Sequence, residues 1–151
     1  MVDREGAHGA DLIILPEVFL GLADPQPIEG PAIQAMRELA RKHHTYIICP
    51  IYRLEGDLHY NTAVLSDRQG QVVGTYDKTY DLFPIPEFKI EKEKMRLGSQ
   101  AKVYSTDFGK IGMAICFDVN FPELWQMLDD AGAELVIWPS AYSSGRSLQA
   151  H

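Results

Sequence analysis

Four runs of this chain are apolar at every position rather than at every second one: L-I-I-L (12–15), I-I-C-P-I (47–51), M-A-I-C (113–116) and L-V-I-W (135–138). A strand of that kind is buried on both faces, so its sheet must be covered on both sides. Two helix patterns supply candidate covers. Pro31 suits a first helical position, because its φ is fixed and it lacks an N–H. Ile33, Met36, Leu39 and Ala40 then form one apolar stripe, and the helix runs to about His44. Pro122 starts a second helix, with Leu124, Met127, Leu128 and Ala131 on one face and Gly132 as its cap. Residues 1–7 read as the end of a further helix. Strands are expected over 11–15, 45–52, 61–66, 72–76, 102–106, 110–115 and 134–138. Turns at 67–70 and 107–109 join two pairs as hairpins. The alternation implies an α/β layered fold, and the hairpins make its sheets mixed.

With 151 residues the chain fits one domain, and a 46% hydrophobic fraction is enough for a packed core. A net charge of −7 argues against nucleic acid as a partner, since such a binder carries a basic patch. No apolar run approaches the roughly 20 residues that cross a bilayer, so no membrane partner is expected. Residues 1–11 lack the apolar centre of a signal peptide, which makes the cytoplasm the expected location. In that reducing setting Cys49 and Cys116 are expected as free thiols. Residues 79–100 form a long connection of little periodicity, a feature often tied to function.

Three polar residues each follow an apolar strand: Glu17 after D-L-I-I-L-P, Lys78 after V-V-G-T-Y-D, and Cys116 after I-G-M-A-I. Taken alone, each has an ordinary reading. A strand cysteine is usually a small hydrophobe, and Glu17 and Lys78 would pass as solvated loop residues. Together they make an acid, an amine and a thiol brought to one site. A free thiol is only a few per cent ionised at pH 7, so Cys116 needs a base or a positive environment. The helix start expected after it would supply partial positive charge, and the Phe117 N–H would help form an oxyanion hole. A partly buried Glu17 suits a general base, and Lys78 suits charge stabilisation. His8, His43, His44, His59 and His151 lie outside any motif, so a Cys-His protease is disfavoured. No Cys or His spacing matches a zinc site.

The segments G-A-D-L-I-I-L-P-E (9–17), Y-N-T-A-V-L (60–65), Y-D-K (76–78), I-C-F-D-V-N-F-P-E-L (115–124) and L-V-I-W-P-S-A-Y (135–142) resemble the nitrilase superfamily of carbon–nitrogen hydrolases. The resemblance covers nearly the whole chain, in the family's order. It implies part of a four-layer αββα sandwich and a Glu-Lys-Cys triad, carried here by Glu17, Lys78 and Cys116. It also implies a second glutamate between lysine and cysteine. Glu91, seven residues before Gly98, fits that pattern, with Glu87 and Glu93 as rivals. The implied reaction is hydrolysis of a small amide, carbamoyl or nitrile substrate through a cysteine thioester, with no cofactor. The complete protein is expected to be a homo-oligomer.

The chain departs from the family's pattern in three places. It reads as a hydrolase domain over 1–151 that is incomplete at both ends, and so as poorly stable or prone to aggregate by itself. Phe117-Asp118 stands where true nitrilases commonly have Trp-Glu, which favours amide or carbamoyl substrates over nitriles. Tyr80 stands where a histidine is frequent. A competing reading is a non-catalytic α/β fragment that keeps the motif residues. A nucleotide-binding domain ranks last, because no G-x-G-x-x-G or phosphate-binding loop is present.

Overall fold

The computed structural model describes residues 1–17, 19–21, 24–80 and 94–141. Three of the runs that are apolar at every position become strands, and the fourth, M-A-I-C, starts at the last residue of another. The first sheet orders β1 (Leu12–Ile14), β2 (Tyr46–Glu55), β3 (Leu58–Ser66) and β4 (Val72–Asp77), and β5 (Met95–Arg96) also pairs with β3. The second orders β6 (Val103–Thr106), β7 (Gly109–Met113) and β8 (Leu135–Ile137). Both are mixed. β1 runs parallel to β2 while β2, β3 and β4 are antiparallel, and β7 pairs antiparallel with β6 but parallel with β8.

Alternation along β2 shows how one strand serves two cores. Ile47, Cys49 and Ile51 join Val2 of α1 (Val2–Ala7) and Ile33 and Ala40 of α2 (Pro31–His43). Tyr46 and Ile48 face the other way, into a cluster with Ile111, Met113 and Ile137 of the second sheet. Gly112 turns to the far side of that sheet, where an added Cβ would lie 2.7 Å from Leu128 of α3 (Pro122–Asp130). The layers are therefore helix, sheet, sheet, helix, as the resemblance implied.

Pro50 inside β2 is tolerated for a local reason. Ile48 and Tyr52 direct their carbonyls to the β1 side, toward Leu15 and Gln26. Pro50 shares their parity, and β1 has ended by that point, so no ladder N–H is needed there. On the helix layer, Lys42 Nζ and His43 Nε2 both reach Asp3 Oδ1 at 2.7 Å, which ties α2 to α1.

Some boundaries differ from the sequence reading. β3 begins at Leu58, so β2 and β3 form one long hairpin through Gly56, whose φ of 60° is the left-handed value glycine accepts. Residues 95–96, expected to be structureless, add a short parallel pairing to His59 and Tyr60. β7 stops at Met113, two residues before Ile115.

Candidate active site

Glu17 sits three residues beyond the end of β1, and its side chain is buried. Its carboxylate gathers donors from three distant segments. Oε1 accepts from Asn61 Nδ2 at 2.8 Å and from Lys78 Nζ at 3.0 Å. Oε2 accepts from the Ala141 backbone N–H at 3.1 Å. Glu17 and Lys78 are only 6% and 5% exposed, so this ion pair operates away from bulk water. A buried carboxylate is tolerable only when paired and hydrogen-bonded, as this one is.

Lys78 follows β4 directly. Its own backbone is fixed on both sides: its N–H donates to Asn61 O and its carbonyl accepts from the Gly98 N–H, each at 2.8 Å. Asn61 therefore holds Lys78 through the main chain and Glu17 through its side chain.

Cys116 opens a 3₁₀ turn, Cys116–Asn120, with φ at +46°. The left-handed region costs a residue other than glycine of order 1–3 kcal/mol and persists only where surroundings enforce it. Here they do. The Cys116 N–H donates to Pro139 O at 3.0 Å, and its carbonyl accepts from Trp138 Nε1 at 2.8 Å. The segment after β8 thus grips the cysteine from both sides of its Cα.

The thiol is pushed up to about 11. Burial is the largest cause, followed by the Glu17 charge and the hydrogen bond between the thiol and Glu17; Lys78 and the Ala141 N–H act in the opposite direction. The helix end expected beside the thiol lies farther along the chain. α3 begins only at Pro122, after the short turn, and desolvation beside a carboxylate outweighs the positive groups. The folded site thus favours the protonated thiol and sets it beside the Glu17 carboxylate.

The sequence profile described as carbon-nitrogen hydrolase matches residues 1–151. The chain belongs to the carbon–nitrogen hydrolase family. It is similar to human (Homo sapiens) deaminated glutathione amidase, with 36% identity over 166 residues that cover 93% of this chain and 49% of that protein. It is similar to N-carbamoylputrescine amidase from Arabidopsis thaliana, with 30% identity over 159 residues covering 95% and 52%. Among solved structures it superposes on a mutant amidase from Nesterenkonia sp. AN1 in which acrylamide has added to the active-site cysteine. That match has a TM-score of 0.80 and 25% identity over 96% of this chain and 59% of the other. The hydrolase-family chain spans about half the length of the curated relatives it matches.

Of the site residues read from the sequence, the structure brings Glu17, Lys78 and Cys116 together and places Phe117 inside the turn that begins at the cysteine. Glu91, with Glu87 and Glu93, lies outside the described residues. Asn61, Trp138 and the Ala141 N–H were missed as site groups. Asn61 had a visible signal, an amide polar enough to need a partner at the head of the apolar run T-A-V-L. The Ala141 contribution is main-chain and leaves no mark on residue identity. Among the described residues, no group of three or more His, Cys, Asp or Glu side chains could hold a metal ion. No described helix of this family member is long and apolar enough to cross a membrane.

Gly98 has a structural role here. A Cβ at Gly98 would stand 2.1 Å from the Asp77 carbonyl, immediately before Lys78. Gly98→Ala is therefore expected to destabilise the chain by about 1–3 kcal/mol, as overpacking against backbone does. Urea denaturation checks this, and an unchanged midpoint would contradict the close approach.

Proposed function

We propose that the protein carrying this chain hydrolyses a non-peptide carbon–nitrogen bond of a small amide or carbamoyl substrate through a Cys116 thioester. The observation that carries the reading is that one buried carboxylate, Glu17, accepts from the Lys78 ammonium and lies close enough to the Cys116 thiol to help hold its proton in place. A thiol held this high must lose its proton as it attacks, and Glu17 is the acceptor within reach.

The steps follow from that geometry. The Cys116 thiol gives its proton to Glu17 as sulfur bonds to the substrate carbonyl carbon. Lys78 and the Phe117 N–H stabilise the oxyanion. The carbon–nitrogen bond breaks, and Glu17 returns the proton to the departing ammonia or amine, leaving a thioester. Water then attacks the thioester carbonyl as Glu17 takes its proton, and the carboxylic acid departs while the thiol is restored. Each proton and charge in this route is handled by the protein's own groups, so it needs no cofactor. We assign Glu91 as a fourth catalytic residue on its spacing to Gly98 and the family resemblance.

Phe117-Asp118 after the cysteine, with amidases among the relatives, supports amide or carbamoyl compounds over nitriles. We further assign a cytoplasmic, homo-oligomeric protein with residues 1–151 as part of its hydrolase domain. Ammonia release from primary amides, N-carbamoyl amines and nitriles by the full-length protein tests the substrate class. Turnover confined to nitriles would overturn it.

The raised thiol also predicts a pH profile. Alkylation of Cys116 by acrylamide, followed by mass spectrometry, is expected to accelerate through the alkaline range with a midpoint near 11. The sign follows from the reactive form: the folded site favours the protonated thiol, so thiolate accumulates only as pH rises toward that value. A rate already constant above pH 8 would show a preformed thiolate and remove the need for Glu17 as its base.

A further inference from the structure

Asp118 lies two residues beyond the cysteine and is completely buried, with no solvent exposure at all. Its carboxylate takes three hydrogen bonds, from both segments that must meet at the site. Oδ2 accepts from the Tyr76 hydroxyl at 2.7 Å and from the Ile115 backbone N–H at 2.9 Å. Oδ1 accepts from the Tyr80 backbone N–H at 2.8 Å. Tyr76 and Tyr80 lie two residues either side of Lys78, and Ile115 immediately precedes Cys116. A second, independent contact runs parallel to these bonds. The Tyr80 ring stacks on Phe121 at 3.8 Å between centroids and 7° between planes, joining the lysine segment to the end of the cysteine turn.

A fully buried carboxylate is costly to desolvate, and nothing in the reaction described above uses this one. Burial pushes its own protonation upward, against the donors and the charge of nearby Lys78. A core hydrophobe would fill the position at less cost. What only an acceptor with two oxygens supplies is the joint orientation of three donors on two chain segments.

Resting on the thioester reading above, we infer that Asp118 is a positioning residue that fixes the Lys78 segment and the Cys116 turn in register, so that ammonium and sulfur meet at Glu17. It touches no reacting atom. Asp118→Asn keeps the size but presents amide hydrogens to a site whose partners are all donors. The bracket should then slacken and Lys78 should move off the sulfur. A shift of about 1 Å in a reacting group can cost about 100-fold in rate.

The test measures acrylamide alkylation of Cys116 against pH by mass spectrometry, with thermal melts alongside, in wild type, Asp118→Asn and Tyr76→Phe. Around the sulfur the charged groups are Glu17 and Lys78, and around Asp118 the titratable groups are the neutral Tyr76 hydroxyl and Lys78. Positioning predicts that Asp118→Asn raises the midpoint of the profile, because the cation that favours thiolate has withdrawn. Tyr76→Phe, which removes one donor and keeps the ring, should shift it in the same direction by less. It also keeps the test alive if Asp118→Asn fails to fold. A lowered midpoint would mean that Asp118 acts only through its charge, and an unchanged midpoint with a lower melting temperature would mean that it acts only on stability. Either result overturns the inference. Failure of the thioester reading looks different: wild-type Cys116 would then alkylate at the same rate with Glu17→Gln as without it.

Discussion

Replacing Cys116 with alanine is expected to lower hydrolysis by the full-length protein on the order of 10⁶-fold, the scale seen when a covalent catalyst loses its nucleophile. The mutation removes the atom that would form the thioester and little else. The backbone of residue 116 is held by Pro139 and Trp138, not by the sulfur. Alanine keeps a Cβ, so the left-handed φ is no easier or harder to adopt. The melting temperature should therefore stay close to wild type while ammonia release disappears and no acyl adduct can be trapped on the protein. Retention of a tenth of the activity would eliminate Cys116 as the nucleophile.

The second large effect concerns stability as well as rate. Lys78→Met keeps the length of the side chain and removes its charge. Glu17 would then remain buried with the Asn61 amide and the Ala141 N–H as donors but without the cation at Oε1. Breaking a buried pair from one side typically costs about 3–5 kcal/mol, because the surviving charge is uncompensated. Equilibrium urea denaturation should show a loss of that size. The double variant Glu17→Gln/Lys78→Met should recover part of it, since both charges are gone. If Lys78→Met loses less than about 1 kcal/mol, the pair is far better solvated than its 6% and 5% exposures imply. Hydrolysis should be lost in both variants, which separates the stabilising role of the pair from its chemical one.

Much of this architecture was legible in the sequence because burial on two faces leaves an unmistakable trace. I-I-C-P-I had to be an inner strand, and Pro31 and Pro122 had to start helices. Both helices begin at those residues. The three reactive groups could be picked out because each follows a strand and the segments match a known family order. Less could be read where the determinant is a local compromise. The strand before Cys116 looked continuous to Ile115, and Ala114 and Cys116 do still donate to Ile137 and Pro139, but the Ile115 N–H between them turns to Asp118 instead of a strand. The upward push on the thiol is illegible for a similar reason. Sequence shows that a helix start is near, but only the fold brings burial and the Glu17 carboxylate to the thiol. Pairing of Met95 and Arg96 with β3 depends on two residues, too few to carry a period.

The left-handed backbone at Cys116 marks a position where folding and chemistry select for different residues. Glycine would relax it at once, since a residue without Cβ takes positive φ freely. Sequence drift toward glycine would thus be rewarded by stability and would erase the thiol in the same step. Descendants of such an event would be well-folded proteins with the layers, the Glu17–Lys78 pair and the Asp118 bracket intact, yet unable to form an acyl intermediate. The identity of residue 116, more than the soundness of the fold, is what would separate a working hydrolase from a silent relative.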